Sequence, residues 1–438
     1  MKKQFSWQFC LPLVLFISLV FLGCSDEDEG EGEDVNLPEP GSEVVLEGKI
    51  TEDTKLSKDY KYLLRGPVFV EGGATLNIEA GTTIYGEGAT IGTLIIARGS
   101  KINANGTASD PIVMTCDLPA GSRGRGKWGG LIINGNAPIN VGVEAFGEGD
   151  TGAYGGSNPN DSSGILRYVR IEWAGIEFTP DNELNGIAFQ GVGSGTIVDH
   201  VQVHFNQDDG IEMFGGTCNI KHILCTGIRD DSFDWTHGWV GKGQFLIVQQ
   251  RGDDADNGFE NDNLGKNNEA TPRSAPQIYN VTLIGDPKGP ESDVGMLIRE
   301  GAAGTYRNII VMGFLNKPGL DIDNTSTYAQ AKSGALTVQN CIFFDNAKGM
   351  AKASKDGFDE LTWAKTSSFN NKEVDPMLTA PYSLTSPDFQ PKAGSPATDG
   401  SVPVAKPPSD GFFESVSYIG GMGPGDNWTQ GWTTSAQN

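Results

Sequence analysis

Three features of the sequence predict an all-β fold built as a parallel β-helix, a solenoid of stacked coils. Short segments with apolar residues two apart recur along the chain, and neighbouring copies are never closer than about 22 residues. Glycine accounts for 60 of the 438 residues, and Gly and Asn separate the apolar segments, as expected for short strands joined by tight turns. Long amphipathic helical patterns are hard to find, which argues against a helical repeat.

The clearest repeat is a polar or aromatic residue followed by a short strand. Its successive copies are separated by 32, 22, 23, 35, 28 and 32 residues. A minimum near 22 with a variable excess indicates a coil of constant size that carries loops of different length. A parallel β-helix needs such a coil, because each strand pairs with its equivalents in the coils above and below. The copies begin at Tyr168, His200, His222, Phe245, Asn280, Asn308 and Asn340.

Competing all-β folds fit less well. A β-sandwich would need antiparallel hairpins, and regular two-residue hairpin turns between matched strands are lacking. A propeller blade would need about 40 residues and four strands. Cys225 and Cys341 fall at inward positions of the repeat and are expected as buried free thiols, whereas the state of Cys116 and Cys218 stays open.

The N-terminus carries an export signal. Lys2 and Lys3 precede an apolar run over residues 9–22, which has signal-peptide length and is too short for a confident membrane span. The run ends in Phe21-Leu22-Gly23-Cys24, which resembles the lipobox of bacterial lipoproteins, in which the cysteine becomes the acylated first residue. The resemblance implies a signal peptide over residues 1–23 and attachment to membrane lipid through acylated Cys24.

An acidic segment follows the cysteine. Seven of the nine residues from Asp26 to Asp34 are acidic, so residues 24–45 are expected to form a solvated tether. The segment also resembles the acidic signal that sends lipoproteins of Bacteroidetes-type bacteria to the outer face of the outer membrane. The acidic segment is either this surface-targeting signal or a plain spacer, and both interpretations remain open. The expected location of the chain is the outer membrane, facing the cell exterior.

The charge of the chain limits its partners. The formal net charge of −24 argues against nucleic acid and against electrostatic adhesion to anionic lipid. Seven of these negative charges lie in the tether, so the remaining body is acidic without it.

Residues 46–397 resemble the right-handed parallel β-helix proteins of the pectin-lyase-like class. The stretch Lys392-Ala393-Gly394-Ser395-Pro396-Ala397 is similar to a motif that often closes such helices. Within the class, residues 208–212 and 231–235 resemble segments of uncharacterised Bacteroidetes surface proteins, a group without an established activity. The aromatic- and Gly-rich tail over residues 398–438 is expected to form a C-terminal cap over the open end of the helix.

Paired aspartates suggest a binding site. The pairs are 22 and 23 residues apart, and each lies eight residues after the residue that opens a repeat, so they are expected to stack in three successive coils. Stacked like charges repel, so something is expected to balance them. The candidate metal ligands are Asp208, Asp209, Asp230, Asp231, Asp253 and Asp254, and the candidate ligand-binding residues beside them are Glu212, Asp234, Trp239, Arg229 and Arg251.

Four interpretations of the paired aspartates remain open. Bound Ca²⁺ fits a site made of carboxylate oxygens. Hydrolysis is suggested by similarity of Asn206-Gln207-Asp208 and Asp230-Asp231 to polygalacturonase motifs, but the further Gly-His-Gly and Arg-Ile-Lys motifs of those enzymes are missing. A calcium-assisted lyase would need Arg229 or Arg251 as the base. The aspartates could also simply cap tight turns.

The sequence therefore favours a surface lipoprotein, without a complete catalytic set, that binds a polysaccharide or an envelope partner, with Ca²⁺ as its one candidate cofactor. A polysaccharide lyase or glycoside hydrolase of the same fold is the first alternative. A structural subunit that associates with an outer-membrane protein is the second.

Overall fold

The short alternating segments form strands that pair in parallel with the strands of neighbouring coils. The computed structural model describes residues 39–179, 182–289, 291–352 and 357–438. The expected signal peptide, Cys24 and most of the acidic tether lie outside the described residues. The first strand begins at Glu43, three residues before the predicted start of the β-helix. The predicted right-handed parallel β-helix is confirmed.

Each coil contributes strands to three parallel sheets, here called sheets 1, 2 and 3. Six long strands run through sheet 1 and then sheet 2: Gly164–Glu172, Ile197–His204, Asn219–Thr226, Lys242–Gln249, Gln277–Ile284 and Gly304–Met312. Short strands complete sheet 1 (Thr54–Leu56, Thr75–Ile78, Lys101–Asn105, Leu336–Gln339) and sheet 2 (Thr83–Gly86, Ile112–Cys116, Ile342–Phe344, Lys372–Glu373).

Sheet 3 follows the turn after sheet 2 in each coil. Two early strands, Glu43–Ile50 and Lys61–Val70, run through sheets 2 and 3. The other strands of sheet 3 are Thr93–Ile96, Gly130–Asn134, Ile187–Gln190, Ile211–Phe214, Phe233–Thr236, Phe259–Asp262, Met296–Arg299 and Leu320–Ile322.

The residues that define the repeat occupy the corner between sheets 1 and 2. The first six lie inside the long strands and bend them, and Asn340 lies between the short strands Leu336–Gln339 and Ile342–Phe344, so these residues do not open the long strands as the sequence pattern indicated. Tyr168, His200, His222 and Phe245 all have positive φ, between 48° and 58°, and their rings stack at centroid distances of 4.4, 4.3 and 4.9 Å. Asparagine, which tolerates this left-handed conformation, takes over the corner in the next three coils.

The inward side chains of the three sheets form one continuous apolar core. Val201, Ile223 and Leu246 stack in sheet 2, and Met213 lies over Trp235 in sheet 3 as the pattern predicted. All four body cysteines are buried and free, which confirms the prediction for Cys225 and Cys341.

The C-terminal tail lies along the side of the β-helix, and in this respect the predicted end cap is wrong. It covers the corner and the outer face of sheet 2, where apolar residues such as Leu224, Ile247 and Ile310 point outward and pack against Ile419 and Met422. Corner asparagines bind the tail backbone: the Asn308 side chain both accepts from and donates to Ala405, at 2.8 and 2.9 Å. The apolar outer face of sheet 2 explains this position, because the core of the last coils is already covered by Phe358 and Ala364.

Loops and small elements decorate the coils. Short antiparallel pairs are formed by Ala145–Phe146 with Ala153–Tyr154, by Glu177–Thr179 with Asn182–Glu183, and by Leu378–Ala380 with Asp388–Pro391. The α-helices are Thr325–Ser333 and Glu360–Ala364, and 3₁₀ turns occur at Gly88–Thr90, Glu148–Asp150 and Ser367–Phe369. Within the described ranges, no helix has the length and apolar character needed to cross a membrane.

Candidate functional site

Acidic residues form aligned rows at the turn that enters sheet 3. The strands beginning at Ile211, Phe233 and Phe259 pair in register, so residues at equal distances from these strand starts stack. The first row holds the residues three positions before each strand start, and the second row holds those two positions before it. The third row holds the residues one position after each strand start. The rows are Asp208, Asp230 and Asp256; Asp209, Asp231 and Asn257; and Glu212, Asp234 and Glu260.

The predicted third aspartate pair does not stack with the other two. The strand starts are 22 residues apart for Ile211 and Phe233 but 26 apart for Phe233 and Phe259, so four residues are extra, and three of them lie between the corner residue and Phe259. The extra residues displace Asp253 and Asp254 from the rows, and Asp256 and Asn257 take the stacked positions.

The displaced pair is neutralised by arginines. Asp253 Oδ1 accepts from Arg125 Nη2 at 3.1 Å, and Asp253 Oδ2 lies 3.2 Å from Arg251 Nε. Asp254 Oδ2 accepts from Arg229 Nε at 2.5 Å. Asp253 and Asp254 are therefore corrected from candidate metal ligands to partners in surface ion pairs.

The second row connects the coils because its carboxylate and amide oxygens accept hydrogen bonds from backbone amides of the next coil. Asp209 Oδ1 accepts from the Asp231 amide at 3.0 Å, and Asp231 Oδ1 accepts from the Asn257 amide at 2.7 Å. Asn257 Oδ1 continues the chain by accepting from the Val294 amide at 3.2 Å. These hydrogen bonds are the turn capping that the sequence allowed. They use one carboxylate oxygen of Asp209 and one of Asp231.

Carboxylate oxygens of the rows converge in three overlapping groups. Oxygens of Asp209, Glu212 and Asp234 all lie within 4.8 Å of one another, and so do those of Asp208, Asp209 and Asp230. A third group joins Asp230 to Asp231 and Asp256. The acidic cluster, as named from here on, comprises Asp208, Asp209, Glu212, Asp230, Asp231, Asp234 and Asp256.

The interior of the acidic cluster is buried. Asp209 and Glu212 are each 8 % exposed and Asp231 is 5 % exposed. Burial, reinforced by the neighbouring carboxylates, raises the pKa of all three well above the usual range. At the rim, burial and the charge of Asp230 raise the pKa of Asp208 to about 7, and burial raises that of Asp256 to about 6.

No basic side chain within the described ranges lies within ion-pair distance of the acidic cluster. Arg299 binds Glu260 and Asp262 one coil further on, and the charges of Arg229 and Lys317 act on Asp230 and Asp256 only from a distance. Because no cation is in contact with them, the close carboxylates either keep protons or hold a cation.

Buried oxygen atoms without partners favour a cation over protons alone. The Asn185 side chain is 2 % exposed and donates through Nδ2 to Glu212 Oε2 at 2.6 Å, yet its Oδ1 has no hydrogen-bond partner among the described residues. Asp234 Oδ1 is likewise buried and unpartnered. An all-oxygen set of carboxylates and one amide is the donor type that Ca²⁺ prefers, so the residues fit this ion.

The five predicted ligand-binding residues divide into three groups, of which Arg229 and Arg251 are the partners of Asp254 and Asp253 already described. Glu212 and Asp234 lie in the acidic cluster, as the sequence indicated. Trp239 does not reach the surface: it is fully buried, and its indole Nε1 donates to the Cys218 carbonyl at 3.0 Å. Its assignment to ligand binding is wrong, because the Thr236–Val240 turn directs the ring onto Trp235 in the core.

Several residues of the site escaped the sequence pattern. Asn185 precedes a sheet 3 strand in the coil before the first aspartate pair, where the repeat spacing gives no acidic signal. Tyr154 comes from the long loop after Gly130–Asn134, and its hydroxyl lies 3.0 Å from His237 Nδ1. The Tyr154 ring lies 6.2 Å from that of Phe214, in the same strand as Glu212, so this loop lies beside the acidic cluster, and burial together with the charge of Glu212 raises the pKa of Tyr154. The excess in the repeat spacing between Tyr168 and His200 indicates only the segment that holds the Glu177–Thr179/Asn182–Glu183 pair, whereas the loop that holds Tyr154 precedes the first copy of the repeat and had no such signal.

The fold and the acidic cluster define a β-helix with a polar site on the outer face of sheet 3. The chain belongs to the pectate-lyase-like β-helix domain family, whose model matches residues 48–433. No curated protein and no solved structure matches the chain.

Proposed function

We propose that this chain is a polysaccharide-binding β-helix protein whose acidic cluster holds Ca²⁺. One observation carries the proposal: overlapping groups of carboxylates, buried at Asp209, Glu212 and Asp231, have no basic partner in contact among the described residues, and Asn185, whose Oδ1 is unpartnered, binds one of them. Membership of the pectate-lyase-like family supports a polysaccharide-related role.

Two parts of the acidic cluster would play different roles. Asp209, Glu212 and Asp234, with Asn185 beside them, would hold a largely dehydrated ion, because these side chains are mostly buried. Asp208 and Asp230 lie at the rim, where an ion would keep open positions for oxygens of a glycan. Bound Ca²⁺ supplies positive charge, which offsets the repulsion of the carboxylates and fixes the turns that enter sheet 3.

The contacts of the arginines favour binding over lyase chemistry. A lyase base must release a proton, but the hydrogen bond from Arg229 to Asp254 raises the pKa of Arg229 further above its already high value. Arg251 is held by Asp253 at 3.2 Å. Neither side chain is prepared to act as a base.

The proposal includes attachment to a membrane through Cys24. It is supported by the lipobox-like end of the apolar run and by the acidic segment that follows it. In cells fed a labelled fatty acid, the wild-type chain should carry the label and pellet with outer membranes, and exposure to external protease should cleave it. Cys24→Ala should be unlabelled and released. Equal labelling of both proteins would contradict the anchor.

The binding proposal is tested with immobilised acidic polysaccharides, such as polygalacturonate and alginate, in Ca²⁺ and in excess chelator. Retention of the wild-type chain should require Ca²⁺, and Glu212→Gln should lose it. Asp254→Asn is the matched control, because it removes one nearby carboxylate from outside the acidic cluster. Retention that is indifferent to chelator and to Glu212→Gln would contradict the proposal. New reducing ends or unsaturated sugars in the eluate would establish an enzyme instead.

A further inference from the structure

We infer a second binding site, for a neutral saccharide, in a cleft between the C-terminal tail and the hairpin Leu378–Ala380/Asp388–Pro391. The cleft has a volume of about 420 Å³, which is within the usual size range of small-molecule sites. It opens on the outer side of sheet 2, whereas the acidic cluster lies at the entry to sheet 3. It is independent of the proposed Ca²⁺ site.

The cleft is built from three parts of the chain. Leu224 and Thr226 of sheet 2 and the hairpin residue Phe389 contribute to its base, and Leu224 and Phe389 are almost fully buried. Hairpin residues 385–389 form one wall, and tail residues 427–435 form the other. The tail wall is anchored, because Gln202 binds the Thr434 backbone through both ends of its amide, each at 2.8 Å. The cleft therefore exists only when the tail is docked.

The polar groups of the cleft suit hydroxyl groups. Some are already committed: the Thr433 hydroxyl donates to the Thr429 carbonyl at 2.8 Å, Asn427 Oδ1 accepts from Thr429, and Asp388 Oδ1 accepts from Gln390, which leaves Asp388 Oδ2. The side chains of Thr385, Ser386, Gln430 and Ser435 line the cleft and make no side-chain hydrogen bond to other described residues. They offer hydroxyl and amide groups that both donate and accept, as sugar hydroxyls require.

The charge of the lining selects among sugars. Among the described residues, Asp388 is the one charged residue that lines the cleft, and no lysine, arginine or histidine does so. A uronate or a sulfated sugar would meet a carboxylate without a compensating cation. A neutral sugar would place hydroxyl groups against Asp388 and a nonpolar ring face toward Leu224 and Phe389, which is the usual division of a saccharide site.

Binding is tested on the purified full chain with a panel of neutral disaccharides: maltose, cellobiose, laminaribiose, mannobiose and galactobiose. Digalacturonate serves as the charged comparison. Saturation-transfer NMR and calorimetry should detect binding of at least one neutral disaccharide, with a Kd on the order of 1 mM. Excess chelator should leave this binding unchanged, whereas it should abolish Ca²⁺-dependent retention on acidic polysaccharide. The saccharide proposal and the Ca²⁺ proposal can therefore be contradicted independently of each other.

Ser386→Trp places an indole in the cleft from an exposed rim position and should weaken disaccharide binding at least tenfold. Ser409→Trp, an exposed tail position outside the cleft, is the matched control and should bind as wild type does. Circular dichroism establishes folding, and if Ser386→Trp is unfolded, Gln430→Ala decides, with an expected loss of about threefold or more. Absence of binding across the panel, tighter binding of digalacturonate, or unchanged binding by the deciding variant would overturn the inference.

Discussion

The Asp231 carboxylate accepts a hydrogen bond from the Asn257 backbone amide at 2.7 Å, and so connects one coil of the β-helix to the next. The same carboxylate lies within 4.8 Å of oxygens of Asp230 and Asp256. One side chain therefore stabilises the turn through its oxygen and destabilises it through its charge. The acidic cluster combines these two effects, and they can be separated by experiment.

Replacement of Asp231 separates the hydrogen bond from the charge. Asp231→Ala leaves the buried Asn257 amide without its acceptor and should lower the free energy of unfolding by about 1–3 kcal/mol. Asp231→Asn keeps an acceptor oxygen and removes the charge, so in chelator at pH 8 it should be at least as stable as the wild-type chain. Urea unfolding measures both. Equal losses for the two variants would show that charge, not the hydrogen bond, matters at this position.

The raised pKa values predict that stability falls as pH rises. In the unfolded chain Asp208 and Asp256 ionise near 3.8, whereas in the folded chain their pKa values are about 7 and about 6. Between about pH 4 and pH 7 the folded chain binds more protons, so this contribution to stability is complete at the acid end and is lost toward pH 7.

The measurement is the urea midpoint at pH 4.5 and pH 8 in chelator. The contribution of Asp208 is the part of the pH dependence that Asp208→Asn removes. A variant with the same pH dependence as the wild-type chain would contradict the raised pKa of Asp208.

Docking of the tail depends on the close approach of its backbone to sheet 2. A Cβ at Gly421 would lie 2.6 Å from the Leu246 carbonyl oxygen, so Gly421→Ala must displace the tail. We expect a lower melting temperature and binding of a hydrophobic dye, because Leu224 and Ile247 would become exposed. At the control position Gly124, a Cβ would meet only the Lys127 side chain, at 3.6 Å, and Gly124→Ala should melt as wild type does. Unchanged melting of Gly421→Ala would show that the tail is dispensable.

We expect stability at the corner to depend more on whether a residue tolerates the left-handed backbone conformation than on the stacking of its ring. His200 has a φ of 56°, and asparagine occupies the same corner in later coils. His200→Asn and His200→Val both remove the ring stacked between Tyr168 and His222. Valine, being β-branched, should cost about 1–2 kcal/mol more than asparagine in thermal unfolding, because it resists the left-handed region. Equal stability of the two variants would contradict this explanation.

Much of the fold could be predicted because a β-helix repeats its local interactions. Inward positions alternate with period two, and equal spacing brings equivalent residues into register, so Met213 over Trp235 followed from counting. The position of the tail beside sheet 2 could not be predicted by counting residues. It depends on outward residues of sheet 2, such as Leu224 and Ile247, which the alternating pattern assigns to the surface until a covering segment is known.

The acidic cluster was predicted in part for the same reason. Counting from the corner residue placed Asp208 and Asp230 correctly, because their coils have the minimum length. It failed for Asp253 because the insertion lies between the corner and the next strand, and counting back from Phe259 would have selected Asp256. Trp239 was misassigned because a tryptophan in a polar turn can point either way, and only its packing on Trp235 decides.

The most direct test of the account is a calorimetric titration of Ca²⁺ into three proteins: the wild-type chain, Glu212→Gln and Asp254→Asn. The acidic cluster predicts saturable Ca²⁺ binding with proton release near pH 6.5 for the wild-type chain, a loss of affinity of at least tenfold for Glu212→Gln, and wild-type affinity for Asp254→Asn. An absence of saturable heat in the wild-type chain, or equal affinity in all three proteins, would contradict the claim that the acidic cluster is a cation site.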